Sequence, residues 1–140
     1  MKRKRRTEIL INGSRQLAKN MASDIEKYYS LEVIQEPQHG MVMLKTRETA
    51  QKSLFYLGEV IVTECKVMLK DSIGIGVVIG DQPEFAYQLA VIDAAFLEEV
   101  PETARWIGLL QKEESKINED RKSYYNDILK MKVSFENMDV

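Results

Sequence analysis

The spacing of apolar residues changes from a helical to a strand period and back again along the 140 residues. Between Thr7 and Ala22 apolar residues recur at loose helical spacing, which predicts a first helix. The next four residues, Ser23 to Glu26, have the Ser-x-x-Glu form of a capping box. They predict a second short helix that ends near Tyr29.

From Leu31 the period becomes two. The alternation predicts a strand from Leu31 to about Glu36, a turn at Pro37–Gly40 and a second strand at Met41–Leu44. The polar residues that follow, Arg47–Lys52, predict a connection.

The strongest strand pattern is VIVTECKVML, residues 60–69, which is preceded by Leu54–Leu57. Lys70–Ser72 supplies a short turn, and the run IGIGVVIG, residues 73–80, returns along it. These two runs predict an antiparallel hairpin. One face of the first run would consist of alternate residues: Ile61, Thr63, Cys65, Val67 and Leu69.

After Gly80 the period is helical again. Asp81 offers a capping acceptor and Pro83 a first-turn proline, so a helix is predicted to begin here and to end at Val100–Pro101. A last long helix is predicted from Glu102 to about Lys132. Its narrow apolar stripe is interrupted by Glu113 and Asp120, which favours contact with another chain over burial in a small core. The predicted partner-contact residues are Trp106, Leu110, Ile117, Tyr124 and Ile128.

Together these elements predict an α+β fold: N-terminal helices, a mainly antiparallel sheet and two long C-terminal helices. A length of 140 residues predicts a single domain, residues 1–140, with one C-terminal helix covering the sheet.

The charge is small overall but uneven. The formal net charge is −2 and 30% of the residues are charged, so the whole chain is not expected to bind nucleic acid through its charge. Five of the first six residues, MKRKRR, are basic. They are interpreted as a flexible, solvated tail, and a phosphate-rich partner is the sharper alternative. No secretory signal or membrane span is expected, and a single cysteine suits a reducing cytoplasm.

Few residues offer catalytic or metal chemistry. Cys65 shares a face with apolar residues and is interpreted as a buried structural thiol. His39, the single histidine, is predicted in an exposed loop, so no metal site is expected. Asp93 lies among apolar residues in AVIDAAF, which favours a cationic or water partner over a binding role.

The glycines of IGIGVVIG resemble a phosphate-binding loop, but their spacing fits neither the dinucleotide fingerprint nor the Gly-Lys-Ser/Thr loop. Alternation instead places Gly74, Gly76, Val78 and Gly80 on one face of a strand. This pattern indicates close approach of a helix or another backbone.

An ordered set of residues across most of the chain resembles the G subunit of the bacterial carbon–phosphorus lyase machinery for phosphonate use. Its core is the run from Phe55 to Phe96, FYLGEVIVTECKVMLKDSIGIGVVIGDQPEFAYQLAVIDAAF, and Val133-x-Phe135-x-x-Met138 resembles the closing motif. The candidate functional residues implied by this resemblance are Gly58, Glu59, Thr63, Gly80 and Asp93. The chain departs from the family at Glu64 and Asp81, where an arginine is frequent, at Gln82, where an aspartate is frequent, and at Phe85, where a histidine is frequent.

The resemblance implies a required subunit of a cytoplasmic hetero-oligomer with the H, I, J and L subunits. That assembly displaces adenine from ATP with an alkylphosphonate, giving α-D-ribose 1-methylphosphonate 5-triphosphate. ATP would be a substrate of the complex, this chain would bind no cofactor alone, and it would be inactive alone. The expected role is assembly, with the catalytic residues unassigned. The alternatives are a small RNA-binding or nucleotide-binding module that uses the basic N-terminus, and an autonomous ATP-binding protein.

Overall fold

The computed structural model describes residues 1–47 and 54–138, and within them the chain forms four helices and three strands. The elements in chain order are α1 (Arg3–Asn12), α2 (Arg15–Tyr28), β1 (Leu31–Arg47), β2 (Leu54–Leu69), β3 (Ser72–Ile79), α3 (Pro83–Glu98) and α4 (Glu102–Met138). This is the predicted α+β fold. Of the predicted polar connection at Arg47–Lys52, only Arg47 is among the described residues, where it ends β1.

The sheet is antiparallel with strand order β1-β2-β3, and the predicted β2–β3 hairpin is confirmed. β3 pairs only with residues 62–69 of β2, whereas β1 pairs along β2 as far as Leu54. The two longer strands therefore continue beyond β3 as a two-stranded ribbon. We call this ribbon, Met41–Arg47 paired with Leu54–Ile61, the β arm.

Helix α3 covers one face of the sheet, and the glycines of β3 determine how closely it approaches. A Cβ atom at Gly74 would overlap the carbonyl oxygen of Ala90, and one at Gly76 would overlap that of Ala86. Gly74, Gly76 and Val78 are buried while the residues between them are exposed. The glycine face predicted from the alternation is therefore a packing face for α3.

A single hydrophobic core lies between this sheet face and the helices. Its largest fully buried side chains include Met21 and Ile25 of α2, Leu69 of β2 and Ile92 of α3. Trp106 of α4 completes it, with its ring tilted against Phe96 at a centroid distance of 5.8 Å. The first turns of α4 thus belong to the core.

The prediction that Ser23 caps a second helix is wrong. The break between α1 and α2 comes earlier, at Gly13 and Ser14, and α2 runs through Ser23. Ser14 is the N-cap, and its hydroxyl oxygen accepts a hydrogen bond from the backbone N–H of Gln16 at 3.2 Å. A Cβ at Gly13 would meet the side chain of Glu113, so α4 packs tightly against this break.

The prediction of a flexible basic tail at residues 1–6 is also wrong, because α1 begins at Arg3. Arg6 is buried, with its guanidinium 4.3 Å from the centre of the Phe96 ring. The basic segment is therefore an integral part of the first helix.

The predicted turn at Pro37–Gly40 is wrong as well, since β1 is one strand of 17 residues. The pairing with β2 shifts between Val33 and Gln35 and again between Gln35 and Gln38. These irregularities accommodate Pro37, which has no N–H to give to a ladder. His39 therefore lies on a strand and not in a loop, although it is exposed as expected.

Two helix boundaries differ from their predictions. The N-cap of α3 is Gln82, which makes no side-chain capping bond, and Asp81 instead contacts His39. Helix α4 starts at Glu102 as predicted but continues to Met138.

Candidate functional site

The five residues suggested by the family pattern lie in three separate places. Gly58 and Glu59 lie on the β arm, opposite Leu44 and Met43. Thr63 and Gly80 contact each other at the start of α3, and Asp93 lies further along α3 beneath α1. They do not form one cluster.

Thr63 and Gly80 connect the sheet to α3. The hydroxyl of Thr63 donates to the carbonyl oxygen of Gly80 at 2.5 Å and accepts from the backbone N–H of Gln82 at 3.1 Å. Gly80 has a φ of 89°, a left-handed backbone that favours glycine. This pair therefore fixes the chain reversal that starts the helix.

Asp93 accepts hydrogen bonds from two other elements of the fold. Its carboxylate accepts from Arg6 at 2.9 Å, from Arg3, and from the backbone N–H of Ile75 at 2.9 Å. The side chain is buried, and the predicted cationic partner is confirmed twice over. One carboxylate thus joins α1, α3 and β3.

The remaining arginine of the basic segment is also paired. Arg5 donates to both oxygens of Glu114 on α4, at 2.9 and 2.6 Å. This contact raises the pKa of the Arg5 guanidinium and lowers the pKa of the Glu114 carboxyl. Burial is the largest influence on Arg6, and it lowers the pKa of that guanidinium. Arg3, Arg5 and Arg6 thus all serve internal contacts.

Cys65 is buried, as interpreted, and His39 is exposed, although on a strand. The Cys65 thiol is buried, and burial, with a smaller contribution from the charge of Glu36, raises its pKa. His39 Nε2 lies 2.8 Å from Asp81 Oδ1 at the surface. Within residues 1–47 and 54–138, no group of three or more His, Cys, Asp or Glu side chains could hold a metal ion.

An open cleft of about 370 Å³ lies between α2 and the start of α3. Arg15 dominates it, with its guanidinium 3.7 Å from the centre of the Phe85 ring. The same guanidinium donates to the carbonyl oxygen of Ile11 at 3.0 Å and so caps the end of α1. At Phe85 the chain therefore has a cation–aromatic contact that packs helices together.

Helix α4 divides into two halves with different surroundings. Trp106 and Leu110 are fully buried in the chain's own core, so their predicted role in partner contact is wrong. Ile117 is partly buried against the same core. Beyond it, Tyr124 is 68% exposed and Ile128 is 41% exposed. The second half of α4 thus presents apolar side chains that nothing in the described structure covers: Tyr124, Tyr125, Ile128, Leu129 and Met131.

The sheet contributes a second uncovered apolar surface. The face of β3 opposite to α3 exposes Ile73, Ile75, Val77 and Ile79. The β arm exposes apolar side chains on both of its faces: Met41, Val42, Met43, Leu44 and Ile61. Contiguous apolar surface of this kind typically marks an interaction site.

The class of protein is defined by this combination: a small α+β domain whose polar candidates maintain the fold and whose apolar surfaces extend beyond its own core. The sequence matches the family model described as "Phosphonate metabolism protein PhnG" over residues 1–139, and the chain belongs to this family. Membership places it in phosphonate metabolism, as part of a multi-protein complex. No protein of curated function matches the sequence. Among the described residues no helix is long and apolar enough to cross a membrane.

Proposed function

We propose that this chain is an assembly subunit of the complex that displaces adenine from ATP with an alkylphosphonate, giving α-D-ribose 1-methylphosphonate 5-triphosphate. Its partners are the H, I, J and L subunits of the carbon–phosphorus lyase machinery. ATP is a substrate of the complex, and the catalytic groups are supplied mainly by other subunits. The observation that carries the proposal is the uncovered second half of α4 in a chain of this family.

The low stability of a helical segment that packs against nothing supports this proposal. Helix α4 has 37 residues and therefore a length of about 55 Å, and only its first turns are buried in the core. An isolated helical segment is marginally stable in water unless an apolar face is packed. The exposed tyrosines and aliphatic residues of its second half supply such a face. A groove on another subunit would stabilise the helix by burying it.

The polar candidates support an assembly role in a second way. Thr63, Gly80 and Asp93 each make contacts inside the chain that position α3, β3 and α1. A rigid domain of this kind presents its surfaces in a fixed arrangement, which lowers the conformational-entropy cost of binding. The alternative of RNA binding through the N-terminus loses support, because Arg3, Arg5 and Arg6 are engaged with Asp93 and Glu114.

Co-expression with the H, I and J subunits tests the proposal. The double variant Tyr124→Ser/Ile128→Ser is compared with Tyr28→Ser, which alters a tyrosine on α2 that is 77% exposed. Both variants should keep the stability of the free chain to within about 0.5 kcal/mol, as surface substitutions usually do.

The double variant should bind the other subunits at least about tenfold more weakly, corresponding to about 1.4 kcal/mol, while Tyr28→Ser binds normally. Formation of the ribose triphosphate product, measured after addition of the L subunit, should fall with complex formation. A wild-type chain that elutes alone in the presence of the H, I and J subunits would refute the proposed function.

A further inference from the structure

The three-stranded sheet has two outer edges, and the edge at β3 is partly occupied. Gly80 donates its N–H to the carbonyl oxygen of Ile61, so alternation along the ladder directs the backbone groups of Ile73, Ile75, Val77 and Ile79 away from β2. Two of these outward groups are already bonded. The N–H of Ile75 donates to Asp93, and the carbonyl oxygen of Ile79 accepts from the side chain of Gln82.

The outer edge of β1 is different. Because Ile61 directs its backbone groups to β3, Val62 directs its own to β1 and bonds with Gly40. Alternation then turns the N–H and C=O groups of His39, Met41 and Met43 away from the sheet. Within the described residues, no side chain donates to or accepts from the backbone of these three residues.

Between Gly40 and Leu44 this open edge lacks the features that usually prevent strand pairing. The register with β2 is regular from Gln38 to Leu44, between two irregular stretches. Residues 40–44 read GMVML, with no charge and no proline. Natural proteins protect long edge strands with charges, prolines, bulges or a covering helix, so a flat apolar edge is a template for another strand.

The side chains beside the edge indicate what would pair with it. Met41 is 61% exposed and lies on the same sheet face as α3, beyond the part that α3 covers. Val42 is 42% exposed on the opposite face. A strand added here would therefore contact apolar side chains on both of its faces. Methionine is enriched in protein interfaces, where its flexible thioether adapts to a partner.

We propose that the outer edge of β1 at His39–Met43 is a strand-pairing site, to which an extended, apolar segment of a partner subunit adds as a fourth strand. Main-chain hydrogen bonds to His39, Met41 and Met43 give the binding energy, and the flanking side chains give selectivity for an uncharged segment. The inference rests on the proposed function, because the added strand comes from a subunit of that complex.

Amide hydrogen exchange at single-residue resolution tests it, on the free chain and on the purified complex with the H, I and J subunits. In the free chain the amides of His39, Met41 and Met43 exchange fast, whereas those of Gly40 and Val42 are protected by their bonds to β2. In the complex the three outward amides become at least about tenfold slower, which gives protection at every second residue.

Two substitutions separate backbone pairing from side-chain contact. Met41→Pro removes an outward N–H without removing a bond to β2, and proline is tolerated at such edge positions. Met41→Ala removes the side chain and keeps the N–H. The proline variant should bind the other subunits about tenfold more weakly or worse, and the alanine variant should stay within about threefold of wild type. Unfolding of each free variant in urea confirms that the fold is retained.

Each contrary outcome has its own meaning. A complex that forms while His39, Met41 and Met43 exchange as fast as in the free chain overturns the strand-pairing inference and leaves the proposed function intact. Equal loss of binding in the proline and alanine variants likewise overturns it. Protection that appears in the chain alone and grows with its concentration assigns the edge to a second copy, which overturns the partner-subunit assignment. Absence of any complex overturns the proposed function and this inference together.

Discussion

At the scale of single residues, the carboxylate of Asp93 connects the most distant parts of the chain. It holds Arg3 and Arg6 of α1 and the backbone of Ile75 on β3. A buried charge of this kind is tolerated because cations and an N–H satisfy it, and removing one partner leaves the others uncompensated. The network therefore fixes α1 more than it adds net stability.

Replacing Asp93 tests this account. Asp93→Ala should lower the free energy of unfolding by about 3–5 kcal/mol, because it leaves Arg6 buried without a counter-charge. Urea unfolding provides the measurement, and Glu114→Gln is the matched control that removes the exposed ion pair with Arg5. The control should change the urea midpoint much less. Equal effects of the two substitutions would contradict the role assigned to Asp93.

The sequence showed that Asp93 needed a partner but could not show which one. The apolar neighbours of Asp93 in AVIDAAF made an unpaired charge costly, and that physical reason was sufficient to predict a cationic or water partner. Arg3 lies 90 positions away in sequence, and nothing local relates the two residues. Because the sequence does not show such distant partners, the basic segment at residues 1–6 is interpreted from sequence alone as a free tail.

Cys65 allows a second test at this scale. Its thiol is buried and burial raises its pKa, so little thiolate forms near neutral pH in the folded chain. We expect a disulfide reagent to label native Cys65 at pH 8 at least about a hundredfold more slowly than the urea-unfolded chain. The unfolded chain serves as the control for intrinsic reactivity. Fast labelling of the native protein would place the thiol at the surface and contradict its structural role.

At the scale of elements, the contact between β3 and α3 depends on two glycines. The backbone carbonyls of Ala86 and Ala90 occupy the positions that Cβ atoms at Gly76 and Gly74 would need. Backbone atoms in the middle of a helix cannot move aside as a flexible side chain can. The alternation of glycines in the sequence was sufficient to predict this contact, because a period-2 row of glycines has few other uses in a buried strand.

Gly76→Ala should therefore destabilise the chain by about 3 kcal/mol, at the upper end of what overpacking usually costs. Gly108 provides a matched control, since a Cβ there meets no atom within 4 Å. Gly108→Ala should instead stabilise the chain by about 1 kcal/mol, because alanine is the better helix former. Both values are measured by urea unfolding at constant pH. A neutral Gly76→Ala would mean that α3 packs less closely than described.

Strands and helices were predictable from hydrophobic period, but the division of α4 was not. Trp106, Leu110, Tyr124 and Ile128 lie on one stripe in the sequence, and periodicity assigns them to one face. Only the tertiary fold shows that the stripe leaves the core near Ile117. A helix about 55 Å long extends well beyond the other three helices, the longest of which, α3, has 16 residues.

At the scale of the whole molecule, the polar groups of interest are bonded inside the domain, whereas many apolar groups are exposed on its surface. The polar groups suggested by the family pattern at Thr63, Gly80 and Asp93 all find their hydrogen-bond partners within the domain. The apolar groups of the β arm and the second half of α4 remain without cover in the described structure. Under the proposed function, stability and partner binding are carried by different parts of the chain, so substitutions should separate the two.

Limited proteolysis with trypsin provides a test of this separation without any substitution. In the free chain the second half of α4 has few tertiary contacts, so it should open locally far more often than α2, β3 or α3. The first cuts within helices should therefore fall at four exposed basic residues: Arg121, Lys122, Lys130 and Lys132.

Binding to the H, I and J subunits should slow those cuts, because burial of the apolar face stabilises the helix by mass action. Lys70, exposed in the tight turn between β2 and β3, serves as an internal reference whose cleavage should change less. If the four sites in α4 are cut equally fast in the free chain and in the complex, the second half of α4 is not the surface that binds the other subunits. The β arm would then be left as the principal contact of this chain with its complex.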